Sequence, residues 1–269
     1  MKRRGTAFVA YGVIAFLYLP LVAVAAFSLN ASRHGLVWRG LTLDWYAKLF
    51  ADPTFFELTR NTLVLALVST VIATVLGTAL ALGLERYPWP RGRANRAIEA
   101  LIDLPVVTPD ILFALAAVTA LGALRTISAV FEPGMLAMIL AHVTFELAFV
   151  ALVVRSRLVA VGPFYEEAAR DLYASGWGLF RRVTLPLLAP GVAAGALLAF
   201  ILSLDDFVVS FFTAGPSSTT LPIYIYASVR RGVSPQIHAL STLIVAVTVL
   251  AVAAAERLSR PSKEQAHAA

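Results

Sequence analysis

A chain of 269 residues with 59% hydrophobic residues, 14% charged residues and a mean hydropathy of +0.80 is too apolar for an ordinary soluble domain and reads as a membrane protein. The absence of Cys excludes disulfide frameworks, thiol nucleophiles, iron–sulfur clusters and Cys-built zinc sites, and four His, at positions 34, 142, 238 and 267, leave little for any other metal site. A net charge of +6 would suit nucleic acid if it were clustered, but the basic residues sit in short connections between apolar stretches, a pattern of membrane topology and anionic lipid.

Six stretches are apolar and long enough to cross a hydrocarbon core that needs roughly 20 helical residues. They lie near 8–30, 61–84, 101–122, 134–154, 187–212 and 238–255. The first follows Lys2, Arg3 and Arg4 and exceeds the apolar core of a signal peptide, so it is read as a retained helix. An outer segment, 31–60, carries Trp38, Trp45, Tyr46, Phe50, Phe55 and Phe56, rings that favour the membrane interface. Asp103 and Asp110 then fall in or beside the third span, Glu146 in the fourth, and Asp205 and Asp206 midway along the fifth.

Insertion of a midplane Asp costs roughly 2.5–3.5 kcal/mol, so such acids face a bundle interior, an aqueous path or a partner. Adjacent helical residues point about 100° apart, so Asp205 and Asp206 do not both face one path squarely. Two readings stay open. Asp205, Asp206, Glu146 and Asp110, with Phe207 and Phe211 as ring surface, form a negative path for a cation; alternatively, the acids serve interhelical hydrogen bonding or helix capping.

Between the fourth and fifth spans, Gly162 to Gly176 has the marks of a short surface helix. Pro163 suits its first position, Glu166 and Glu167 its first turn, and Gly176 its stop. Tyr165, Ala168, Ala169 and Leu172 make one apolar face, with Glu166 and Arg170 as an i,i+4 pair opposite. By itself this is either an interfacial connector or a docking helix. Beyond the fifth span, Gly215-Pro216 and Leu221-Pro222 signal turns before Tyr224, Tyr226, Arg230 and Arg231.

Of the 22 Lys and Arg, 15 lie on the side of the amino terminus and 7 on the other, which places both termini in the cytoplasm. No lysine follows a glycine, so the phosphate cradle of a P-loop is absent. No catalytic constellation is present either, and the chain is read as a transport subunit without catalytic or metal-ligating residues. A gradient-driven secondary transporter would also use intramembrane acids, but has no need of a docking helix.

The run Glu167-Ala168-Ala169, followed by Val183 and Leu185-Pro186, resembles the EAA loop of bacterial ABC-importer permeases, with Tyr173 where that family usually has Gly. That departure allows the helix to continue through Tyr173, with the bend falling near Gly176. Leu104-Pro105, Pro109-Asp110, Ser203 to Ser210, Gly215-Pro216, Leu221-Pro222 and Gly232 to Pro235 further resemble the spermidine/putrescine permeases of PotC and PotI type.

The resemblance implies an all-α polytopic permease of type I, MetI-like architecture. It is a single domain over 1–269 with six transmembrane helices, set in a bacterial inner membrane. It also implies an ATPase-docking loop over 160–186, carried by Glu166, Glu167, Ala168, Ala169, Arg170, Asp171, Tyr173 and Gly176. Expected partners are two copies of a cytoplasmic ATPase that binds ATP and Mg, a second permease, the bilayer and an extracytoplasmic solute-binding protein. That protein would meet a platform including Tyr224, Tyr226, Arg230 and Arg231. No cofactor is expected in the chain and no nucleic acid among its partners. Polyamines are the expected solute; ferric iron, thiamine and opines are carried by related permeases.

Overall fold

The computed structural model describes residues 2–32, 37–86, 93–232 and 234–259, and every described element of three residues or more is helical. Arg33, His34, Arg91, Val233, Arg260, Lys263 and the polar tail that follows lie outside these residues. The helices are α1 (Lys2–Ser28), α2 (Asp44–Ala51), α3 (Pro53–Arg86), α4 (Arg93–Val107), α5 (Asp110–Leu124), α6 (Met135–Val161), α7 (Phe164–Asp171), α8 (Gly176–Leu179), α9 (Leu185–Asp205), α10 (Val208–Thr213), α11 (Leu221–Arg231) and α12 (Pro235–Ser259).

Four helical stretches among the described residues are long and apolar enough to cross a membrane: Val9–Ser28, Pro53–Arg86, Met135–Val161 and Gly176–Asp205. A fifth is obtained if Ala97–Val107 and Asp110–Leu124 count as one span, and Pro235–Leu250 is a shorter apolar helix. This differs from the six spans expected above. The stretch 101–122 is not continuous, because its two helices meet at 118° around Thr108 and Pro109. Proline lacks an N–H and drives the preceding residue out of the helical region, so the turn falls where Pro109 stands. The fifth stretch also breaks, at Asp206 and Phe207, with Asp206 in an extended conformation.

The chain divides into two compact units, Met1–Phe56 with Ile225–Ala269, and Glu57–Tyr224. In the first, α12 packs against both α1 and α2, and the rings of Phe27 and His238 lie 6.0 Å apart. Asn30 organises the segment between α1 and α2: its amide oxygen accepts from Ser32 and Arg39 N–H, and its own carbonyl accepts from the Trp45 indole at 2.8 Å. Ser28 and Tyr46 hydroxyls join at 2.7 Å.

In the second unit α6 is the central helix, packed against α9, α4, α10 and α5. Val150, Val154 and Leu158 on α6 meet Ala81, Leu188 and Ala199, while Met138, Ile139 and Val143 meet Leu65. Small residues set the close approach: a Cβ at Gly77 would lie 2.8 Å from Val150 Cβ. The approach is tighter still ahead of α6, since a Cβ at Gly215 would lie 2.0 Å from the Pro133 carbonyl oxygen.

Candidate functional site

The acids of the fifth span separate at the α9/α10 break. Asp206 turns inward, accepting the N–H groups of Val209 (3.2 Å) and Ser210 (2.7 Å), donors that the first turn of α10 would otherwise leave free. Asp205, one residue earlier, is exposed. Asp110, also exposed, opens α5. Phe207 and the half-exposed Phe211 pack beside the break with centroids 5.4 Å apart and planes inclined by 37°.

Glu146 lies inside the unit instead, fully buried with His142 one turn away on α6. Its Oε1 accepts from Ser69 on α3 at 2.8 Å and lies 3.5 Å from His142 Nδ1. The imidazole bridges the helix break: Nδ1 bonds Ser203 Oγ at 2.7 Å, and Nε2 bonds Ser210 Oγ at 3.1 Å and lies 3.3 Å from Asp206 Oδ2. One ring thereby holds a hydroxyl on each side of the interruption. The sequence offered a partial signal, the i,i+4 spacing of His142 and Glu146; Ser69, Ser203 and Ser210 are too distant in the chain to be linked to it by inspection.

At the other end of α6, the segment expected to dock the ATPase takes a form that differs from expectation at two residues. Pro163 sits at the N-cap of α7 and not in its first turn, and α7 ends at Asp171, before Tyr173. Tyr173 adopts φ +62° and Gly176 φ +50°, so the chain turns at both. The left-handed conformation is open to Gly and costs other residues roughly 1–2 kcal/mol; here it is formed by a tyrosine that is 96% exposed.

Glu166 does not pair with Arg170. It is buried against the chain, with Oε2 3.1 Å from Arg86 Nε and Oε1 accepting from Thr184 Oγ1 at 3.1 Å. Glu167, Ala168, Arg170 and Asp171 are exposed, Ala169 is half-buried, and Phe164, Tyr165, Leu172 and Trp177 turn large apolar surfaces outward. After α8 the chain makes one π-helical turn, Phe180–Thr184, and runs on into α9.

On α11, Arg230 stacks over the exposed Tyr226 ring, 5.2 Å from its centroid, and the Arg231 side chain bonds the Ala227 carbonyl at 3.2 Å. Tyr224 is half-buried. Among the described residues no group of three His, Asp or Glu is arranged to hold a metal ion.

Residues 73–261 match the family model described as the binding-protein-dependent transport system inner membrane component. The chain belongs to this family. It is a multi-pass permease and a transport subunit, with ATP hydrolysis carried out elsewhere in the complex. Among the permease's relatives, the spermidine/putrescine transport system permease protein PotC of Escherichia coli K12 is 35% identical over 248 residues, 92% of this chain and 91% of that protein. The putrescine transport system permease protein PotI of the same strain is 38% identical over 252 residues, 93% and 89% of the two chains. The molybdenum transport system permease protein ModB of Mycobacterium bovis is 32% identical over 89% of this chain and 88% of its own.

Solved structures share the permease's fold. A chain of a bacterial alginate ABC transporter, in complex with an alginate pentasaccharide-bound periplasmic protein, superposes with TM-score 0.71 at 20% identity, covering 92% of this chain and 90% of that one. A chain of the inward-facing MetNI methionine transporter gives 0.61 at 18% identity, covering 77% and 96%.

Proposed function

We propose that this permease forms half of the translocation path of an ATP-driven importer for polyamines. The observation that carries the solute class is the agreement between two things: identity of 35% and 38% over more than nine-tenths of the chain to permeases named for spermidine and putrescine, and two exposed carboxylates, Asp110 and Asp205, with the paired rings of Phe207 and Phe211 just after Asp205. A flexible polycation is served by dispersed carboxylates and ring faces, and release requires that no single site hold it deeply. Asp205, Asp110, Phe207 and Phe211 are the residues proposed to meet the solute. Asp206 and Glu146 are proposed to act behind them, through the His142 network that fixes the break.

The proposed assembly has residues 1–269 as one permease domain, six crossings, both termini cytoplasmic, a second permease, and two ATPase copies docked on 160–186. Six crossings take the α4/α5 pair as one span and α12 as another, and the 15-to-7 division of basic residues supports the orientation. The apolar outer surface of the docking loop, Phe164, Tyr165 and Leu172 with the small Ala168, suits an ATPase cleft. Tyr226, Arg230 and Arg231, with Tyr224, are proposed to meet an acidic surface of the solute-binding protein.

Uptake of putrescine, normalised to complex in the membrane, tests this reading. Asp205→Asn is expected to reduce it at least tenfold with the complex intact, while Asp206→Asn chiefly lowers the amount of assembled complex. Wild-type uptake per complex in both variants would remove these carboxylates from the solute path, whereas no putrescine uptake by the wild-type complex would make ferric iron, thiamine, an opine or molybdenum the solutes to assay.

A further inference from the structure

Arg86, the last described residue of α3, stands outside the docking surface yet joins three elements that lead to it. Its Nη2 donates to the carbonyl of Gly162, the residue that caps α6, at 2.8 Å, and at 3.4 Å to that of Leu158, which also accepts the Gly162 N–H at 3.0 Å. Its Nε lies 3.1 Å from Glu166 of α7, and the other oxygen of that carboxylate accepts from Thr184 at the end of the π-helical turn that feeds α9. Both charged side chains are largely buried, at 17% and 11% exposure. Two cavities of about 400 Å³ each flank the pair, both lined by Arg86, Glu166 and Arg170. A buried ion pair with space on two sides has room to move as one body with whatever displaces α7.

We propose that Arg86, Glu166 and Thr184 form the link through which displacement of the docking helix reaches α3, α6 and α9, so that Arg86 is a positioning residue for energy coupling, not a docking residue. This rests on the reading of 160–186 as the ATPase-docking loop. An ion pair whose two side chains are mostly buried resists separation more than a fully exposed one. The π-helical turn supplies a compliant joint, because π-bulges interrupt regular helical bonding. Movement of α7 then pulls Glu166, and through it the ends of three spans together.

The experiment uses the whole complex with its solute-binding protein and compares Arg86→Gln, the nearly isosteric Thr184→Val, and Ala168→Arg on the exposed face. Three readouts are taken: ATPase recovered with the permease, basal ATP hydrolysis, and hydrolysis stimulated by the loaded binding protein. Arg86→Gln is expected to retain the ATPase and basal hydrolysis but to lose stimulation and uptake about tenfold; Thr184→Val loses stimulation a few-fold. Unchanged stimulation in Arg86→Gln overturns the proposal, as does loss of the ATPase together with stimulation, which would assign Arg86 to assembly. Should Arg86→Gln not reach the membrane, Thr184→Val decides, and a wild-type ratio of stimulated to basal hydrolysis overturns the link. Ala168→Arg reports on the docking reading separately: if it keeps its ATPase and its uptake, that reading fails whatever Arg86 does.

Discussion

Tyr173 occupies a conformation that glycine adopts freely, and its ring gains little in return, being almost wholly exposed. Its N–H bonds the Arg170 carbonyl at 2.9 Å, and the next N–H, of Ala174, bonds Ala169 at 3.0 Å, so local hydrogen bonds hold the turn. Tyr173→Gly would relieve roughly 1–2 kcal/mol of left-handed strain and lose roughly 0.5–1 kcal/mol through the freer unfolded chain. The expected outcome is unchanged or slightly raised thermal stability in detergent with full ATPase recovery. A fall in recovered ATPase would show that the ring itself contacts the partner. His142 is the opposite case, a residue without exposed surface whose every polar atom is engaged. His142→Ala would take the imidazole from the buried hydroxyls of Ser203 and Ser210 and from the Glu146 and Asp206 carboxylates beside it, and each buried polar group left unsatisfied costs roughly 1–3 kcal/mol. A large loss of complex recovered after mild heating is expected; unchanged recovery would mean the network carries no stability.

The two interrupted spans show which features of an element can be read from a sequence. Pro109 announces a boundary, since proline forbids the preceding helical bond, yet the 118° turn depends on what α4 and α5 pack against and has no local signature. The interruption at Asp206 has no proline. It arises because a buried carboxylate competes for the N–H groups of Val209 and Ser210, with His142 from α6 bonding both sides. Replacing both hydroxyls, Ser203→Ala with Ser210→Ala, should therefore cost less than the sum of the single changes if they serve one bend, which stability measurements on a double-mutant cycle would detect. Strict additivity would mean that the two bonds act independently. For the helix Phe164–Asp171, its existence and apolar face were legible, whereas its end before Tyr173 and the partner of Glu166 were not. Arg170 is four residues away and Arg86 is eighty, and only the folded chain shows that the latter prevails.

At the scale of the whole molecule, apolar stretches separated by basic connections identified a polytopic membrane protein, the resemblance of the Glu167-Ala168-Ala169 run made it a permease, and the family match agrees with that resemblance. The acids were visible as a set, but their division was not, because a buried and an exposed carboxylate look alike until the helix break is known. Topology is tested with the same economy: the chain has no Cys, so a single Ser217→Cys on the exposed loop ahead of α11 should react with an impermeant thiol reagent in intact cells, while Ser262→Cys in the tail should react only after lysis. Reversal of that pattern would invert the orientation.

The central claim, ATP-driven uptake of a polyamine through this permease, is tested most directly in proteoliposomes holding the complete complex, with the solute-binding protein outside and labelled putrescine as solute. The account predicts accumulation that requires both the binding protein and enclosed ATP, and that falls at least tenfold with Asp205→Asn. Accumulation driven by an ion gradient without ATP, or ATP hydrolysis that the putrescine-loaded binding protein does not stimulate, would contradict it.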